Sequence, residues 1–240
     1  MNEAGRPRPC GLLFDYGGTL VEEVAFDVRP GVDALLANVA HRPPNVTRDA
    51  ILARVDRVTR EVSDRRDQLQ IETPWPSITR LIYDYFGVRF ARPLHELELT
   101  FWDASVMTRP MPGVREVLHD LHRLGCKMGV VSNSSFRGEV IQHELAKHGL
   151  VDHVSIIVSS AEYAVRKPNP LLFETAAALL GIPPRDIWFV GDRMDTDVAG
   201  ARAAGMYPVH FAPSGRSRGS KVLTVESWGT LLTCARDAAA

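Results

Sequence analysis

Gly11-Leu12-Leu13-Phe14-Asp15-Tyr16-Gly17-Gly18-Thr19 is the stretch on which the fold turns. An uncharged run halted by an acid and a Gly-Gly pair reads as a buried strand ending in a tight turn. The figure returns downstream. Lys127-Met128-Gly129-Val130-Val131 runs into Ser132-Asn133-Ser134-Ser135. A β-rich run from Val154 to Val158 is followed by Arg166-Lys167-Pro168-Asn169-Pro170. Asp186-Ile187-Trp188-Phe189-Val190 runs into Gly191-Asp192, with Asp195 and Asp197 close behind. Helical stretches at about 113–124, 136–147, 170–180 and 195–204 alternate with these runs, and Tyr207–Phe211 adds another strand. Short apolar strands alternating with helices predict an α/β fold: a doubly wound parallel sheet covered on both faces.

Between the first strand and the rest, residues 31–105 read as helix after helix with little β pattern. Residues 48–67 put Ile51, Leu52, Val55, Val58 and Val62 on one stripe, with Thr47 or Asp49 placed to cap it. Pro74 and Pro76 separate that helix from one at roughly 77–86, which Gly87 ends. Arg92-Pro93 begins another at roughly 93–104. The expected organisation is a core from residues 9–23 and 108–240 with a helical domain, 24–107, inserted after the first strand. Pro213–Lys221, rich in Ser, Gly and Arg, reads as a mobile surface loop.

Composition narrows the function classes. The chain has 240 residues, with 28 basic against 29 acidic and a net charge of −1. That balance argues against a nucleic-acid partner, which would call for a basic excess. Apolar residues make up 45%, enough for an ordinary core. No apolar run reaches the roughly 18 residues a membrane span needs. The first residues carry no long apolar stretch before a cleavage site, so secretion is not expected. Cys10, Cys126 and Cys234 are few, odd in number and widely spaced, as suits a reducing compartment; the expected location is cytoplasmic. A monomer or a homodimer is expected.

In such sheets ligands bind at the carboxyl ends of the strands. The polar residues quoted above all fall there. Convergence would gather two or three carboxylates, an ammonium, a hydroxyl and several backbone N–H groups around one point. Clustered carboxylates repel one another and call for a cation. Oxygen donors of this kind suit Mg²⁺ completed by water and phosphate.

The arrangement resembles the haloacid dehalogenase-like superfamily of hydrolases, over about residues 9–211, with the helical insertion as its cap. The first motif of the family's phosphatases, Asp-x-Asp-Gly-Thr after a strand, is matched by Asp15-Tyr16-Gly17-Gly18-Thr19. A Ser closing a strand is matched by Ser132, a Lys before Pro by Lys167-Pro168, and a Gly-Asp pair with a later Asp by Gly191, Asp192 and Asp197. The resemblance implies a Mg²⁺-dependent phosphatase acting on a small phosphorylated metabolite. In it Asp15 is the nucleophile, Lys167 neutralises charge, and Ser132 holds phosphate oxygens with Gly18, Thr19 and Asn133. Asp15, the Gly17 carbonyl, Asp192 and Asp197 would hold the metal. Asp197 reads as an acid orienting metal waters or Lys167, with a plain helix N-terminal acid as the alternative, and Asp195 reads as an N-cap before a ligand. The histidines show no ligand spacing.

One position departs from the pattern. The family's phosphatases carry their general acid/base two places after the nucleophile, and here that residue is Gly17. Such proton transfer is typically worth about 10²–10⁴-fold in rate. Three explanations stand open: a good leaving group such as an acyl phosphate, a substitute acid such as Glu22, Glu23 or Asp27, or a catalytically silent binding protein. Cleavage of a C–P bond through a cap lysine is disfavoured because residues 25–110 contain no lysine. Gly191-Asp192 speaks against a C–halogen bond.

Overall fold

A computed structural model describes residues 7–213 and 222–238, the side chain of Asp67 excepted. The elements in chain order are β1 (Gly11–Phe14), β2 (Val21–Phe26), α1 (Val28–Leu36), β3 (Val39–His41), α2 (Arg48–Leu69), α3 (Trp75–Tyr83), β4 (Arg89–Phe90), α4 (Leu94–Ser105) and β5 (Val106–Pro110). There follow α5 (Val114–Arg123), β6 (Lys127–Ser132), α6 (Gly138–Lys147), β7 (Ile156–Ser159), α7 (Ser160–Tyr163) and α8 (Pro170–Leu180). The chain ends with β8 (Ile187–Gly191), α9 (Ala199–Ala203), β9 (Tyr207–Phe211), β10 (Leu223–Val225) and α10 (Trp228–Asp237).

The main sheet has six parallel strands in the order β10-β9-β8-β1-β6-β7, as the alternating pattern predicts. Its strands are buried on both faces, so their residues divide by period two. Leu12, Phe14, Trp188 and Val190 pack one face with Leu118, Leu145 and Trp228 from α5, α6 and α10. Leu13, Val131 and Phe189 pack the other with Phe173, Ala176 and Ala201 from α8 and α9. Full burial of each large apolar side chain contributes about 1.5–3 kcal/mol.

The sheet order fixes where a site forms. From β1 the sheet order steps to β6; from β8 it steps the opposite way, to β9. β1 and β8 are neighbours, with Phe14 beside Val190, and the connections beyond them diverge. A crevice opens where such connections part. The residues just past these two strands are Asp15 and Asp192.

The insertion has its own core, in which Val32, Leu35, Ile51, Val55 and Leu97 are buried together. Thr47 caps α2 by accepting from Ala50 N at 3.2 Å, and Gly87 closes the turn after α3 in the left-handed region at φ 68°. The stretch whose sequence shows little β pattern holds an antiparallel pair of β3 and β4. These strands have three and two residues, too short to show alternation. The chain also enters and leaves the insertion through the antiparallel pair β2–β5, within which the expected boundaries at 24 and 107 fall. Beyond β9 the structure adds β10 and α10, which the pattern did not signal. Of the loop expected over Pro213–Lys221, residues 214–221 lie outside the described residues.

A buried acid ties the insertion to the core. Glu144 of α6 accepts from Trp102 Nε1 at 2.8 Å, Thr108 Oγ1 at 2.6 Å and Lys147 Nζ at 3.0 Å. Burial pushes its carboxyl up, but these donors outweigh burial and hold it below its ordinary 4.5. The stabilisation is therefore complete above pH 4.5 and lost as pH falls through the lowered value. Glu144→Ala should cost about 3 kcal/mol by stranding the Trp102 and Thr108 donors. Glu144→Gln, which keeps an acceptor, should cost less in the same thermal unfolding measurement.

Candidate active site

The crevice brings together four of the expected side chains. Asp15 follows β1, and its N–H donates to Val190 O of β8 at 2.9 Å, which locks the first residue past the strand. Lys167 Nζ donates to Asp15 Oδ1 at 2.6 Å and to Val131 O at 3.0 Å, and pairs with Asp197 Oδ1 at 2.7 Å. Asp15, Asp192 and Asp197 offer oxygens that all lie within 4.8 Å of one another, the one such metal-capable cluster among the described residues. Asp197 sits in a π-helical turn, Met194–Val198, where its Oδ2 accepts from Arg193 N at 3.1 Å.

Close packing dictates the small residues around these acids. Gly18 has φ 76°, and a Cβ there would sit 2.7 Å from Asp192 Oδ2. A Cβ on Gly191 would clash with the Asp197 carboxylate. Gly17 is different: nothing lies within 4 Å of a Cβ built on it, and its backbone requires no glycine.

Three carboxylates face one ammonium, so two negative charges lack a partner if all the acids ionise. Burial pushes the Asp15 carboxyl up to about 7; Lys167 opposes the shift, and Asp197 and Asp192 add to it. Burial, then repulsion from Asp197, raises Asp192 as well. Lys167 is held above its ordinary value because Asp15 and Asp197 outweigh its burial. Three carboxylates that crowd around one ammonium and present only oxygen donors fit a hard divalent cation such as Mg²⁺.

The remaining expected residues divide. Ser132, Asn133 and Gly18 line the same cavity as Asp15, Lys167 and Asp192. Asn133 is committed to positioning: its Oδ1 accepts from Lys167 N at 2.7 Å and its Nδ2 donates to Lys167 O at 3.0 Å. Thr19 is fully buried and is not part of the cavity lining. Asp195 does not cap a helix; it is exposed and forms a two-bond pair with Arg193, which holds its carboxyl below the ordinary range. Among the acids weighed as substitutes for the missing one, Glu22 pairs with Arg109 at 2.6 Å and Asp27 pairs with Arg29 while capping α1. Glu23 alone of the three lines the cavity. Strand alternation explains this, since Val21 and Glu23 share one face of β2 and Glu22 takes the other.

Sequence reasoning missed the residues that close the site. Glu72, fully buried after α2, accepts from Ser135 Oγ at 2.9 Å and Ser160 Oγ at 2.7 Å and pairs with Arg166. Trp75 N donates to Ser135 O at 2.7 Å beside it. Glu98 of α4, also buried, pairs with Arg137 Nε at 2.6 Å. Both acids reach from the insertion onto loops next to Ser132 and Lys167. An isolated Glu in a helical stretch carries no local signal of such a contact. Four rings also went unread: Trp75, Phe101, Trp102 and Phe136 line the cavity together.

Comparison with known proteins follows the same lines. A match to the haloacid dehalogenase-like hydrolases covers residues 11–205. The phosphoglycolate phosphatase of Neisseria meningitidis is 29% identical over 206 residues, 82% of this chain and 78% of that protein. The glyceraldehyde 3-phosphate phosphatase of Methanopyrus kandleri is 39% identical over 104 residues, 43% of each chain. Among solved structures, a phosphatase from Thermococcus onnurineus aligns with TM-score 0.60 and 22% identity, over 93% of this chain and 96% of that one. A 2-haloacid dehalogenase from Pseudomonas syringae aligns with TM-score 0.61 and 17% identity, over 94% and 97%, so the shared feature there is the fold. With its sheet order, its crevice of acids around a lysine and a match over most of its length, the chain belongs to the haloacid dehalogenase-like hydrolases.

Proposed function

We propose that this hydrolase is a Mg²⁺-dependent phosphatase that acts on a small phosphorylated molecule through an aspartyl-phosphate on Asp15. The observation that carries the reading is the shared Lys167 between Asp15 and Asp197, with Asp192 within the same 4.8 Å cluster. Lys167 holds one Asp15 oxygen, which leaves the other to attack phosphorus in line with the departing oxygen. The ammonium stays fixed where charge builds up on the transferring group. Ser132 and the N–H groups beside it hold phosphoryl oxygens, and Asn133 keeps the Lys167 loop in place. Asp15, Asp192 and the Gly17 carbonyl would hold the cation with Asp197 beside them; when bound, it neutralises charge and orients the phosphoryl group. Residues 24–107 act as the lid that excludes water and selects substrate. Cys10, Cys126 and Cys234 form no disulfide, in keeping with a cytoplasmic site of action.

Glu23 is the carboxylate available to activate the water that hydrolyses the aspartyl-phosphate, a task Gly17 cannot perform, while no side chain is assigned to protonate the leaving group. Glu23→Gln should lower phosphate release by about 10²-fold. The same change in a Gly17→Asp background should cost far less, because open space at position 17 lets the new acid take over. Gly17→Asp alone should raise turnover of alkyl phosphates by about 10²-fold or more. Steady-state kinetics on phosphate esters checks all three.

The deciding experiment is a panel of phosphate esters and an acyl phosphate, assayed with and without Mg²⁺. Turnover that needs Mg²⁺ supports the reading. Gly17 also favours a second reading, a silent binding protein; Mg²⁺ raising the melting temperature without turnover of any compound would select it.

A further inference from the structure

Resting on the phosphatase reading, we propose that the substrate is a small aryl phosphate: a phosphoryl group on an aromatic hydroxyl, with the ring enclosed between core and insertion. Two independent features lead there.

The first is the cavity. It measures about 1010 Å³, at the upper end of the roughly 300–1,000 Å³ usual for small-molecule pockets. A phosphorylated acid of two or three carbons would leave most of it empty. Asp15, Ser132 and Lys167 line it, and so does Phe136, four residues beyond Ser132. Phe136 meets three rings from the insertion. It stacks at 6.1 Å on Phe101 and 6.2 Å on Trp75, and meets Trp102 edge-on at 4.8 Å. The cavity that holds the phosphoryl site therefore also presents aromatic surface. Flat rings in offset and edge contacts favour another ring over a short polar chain. Thr59, Ser63 and Arg66 of α2 supply a more polar wall and leave room for substituents.

The second feature is Gly17. An alkyl alcohol departs as an alkoxide whose acid is about as weak as water, far weaker than a phenol. A phenol ionises near pKa 10. When an Asp15 oxygen bonds to phosphorus and the P–O(aryl) bond breaks, the electron pair leaves on a phenolate oxygen stable enough to depart unprotonated. It takes its proton from water afterwards. Water then hydrolyses the aspartyl-phosphate to inorganic phosphate and restores Asp15. A site without an acid two places after its nucleophile suits that leaving group.

The test compares phenyl, 2-naphthyl and benzyl phosphates with phosphoglycolate on the full chain with Mg²⁺. Phenyl and benzyl phosphate present the same ring but differ in leaving group. Phenyl phosphate should exceed benzyl phosphate by about 10²-fold in kcat/KM, and Gly17→Asp should narrow that gap. The larger 2-naphthyl ring should gain roughly a further tenfold through KM, and Phe136→Ala should remove that gain. Phosphoglycolate should be the poorest of the four. Equal rates for benzyl and phenyl phosphate, or preference for phosphoglycolate, overturn the inference and leave the phosphatase reading standing. So does preference for a phosphotyrosine peptide over the small aryl phosphates. Turnover of none of the four overturns the inference, and failure of the acyl phosphate as well removes the phosphatase reading with it.

Discussion

Asp15→Ala is expected to lower turnover by at least about 10⁴-fold while leaving the protein folded. Asp15 is held by Val190 O through its N–H and by Lys167 through its carboxylate, so the reactive oxygen has one position. Loss of that carboxylate does not strand the ammonium, because Lys167 still pairs with Asp197 at 2.7 Å. Relief of repulsion from Asp197 and Asp192 offsets part of what is lost. The melting temperature should therefore change little, which separates a chemical defect from a folding one. The direct measurement is acid quench of the enzyme with a ³²P-labelled aryl phosphate. Wild-type chain should carry label that hydroxylamine releases, and Asp15→Ala should carry none. Label on the alanine variant would place the nucleophile elsewhere.

Lys167→Met should have the largest effect on stability. Lys167 is 3% exposed and Asp197 is 1% exposed, so water cannot replace the lost ammonium. Stripping one partner from a buried ion pair costs about 3–5 kcal/mol. For a domain of this size that is a fall in melting temperature of roughly 10 °C. Two comparisons identify the cause. Mg²⁺ should recover part of the loss, since it supplies positive charge to the same carboxylates. Lys167→Met with Asp197→Asn should be more stable than Lys167→Met alone, because one stranded charge has gone. A pair of melting curves that simply added would mean Lys167 and Asp197 do not depend on each other.

The core was legible because strand and turn signals are local. Gly11–Phe14 followed by Asp15, and Ile187–Gly191 followed by Asp192, each announce a strand and its polar end within a few residues. Their meeting needed only the topology of a parallel sheet. The insertion was legible as helices, through the stripe from Ile51 to Val62, but not as a surface. Glu72 and Glu98 act through partners 94 and 39 positions away, Arg166 and Arg137, and nothing in their neighbourhoods encodes that. The same holds for Trp75, Phe101, Trp102 and Phe136, whose apolar character reads as ordinary core until the cavity beside them is seen. Glu22 and Glu23 were inseparable as sequence. Only the pairing of β2 with β5, which sets Glu22 opposite Arg109, shows which of the two turns inward.

Glu72 also bears on how the protein is populated in solution. Its carboxylate joins Ser135, Ser160 and Arg166 in one buried knot, so separating the insertion from the core breaks several charge-assisted bonds together. Coupled losses of this kind produce two discrete arrangements rather than a gradual opening. If the insertion opens as the proposed lid, ligands bind the open arrangement and measured affinity equals intrinsic affinity scaled by its share of the ensemble. Loosening the knot with Glu72→Gln should then change substrate affinity and product release together, at a point well removed from the phosphorus atom.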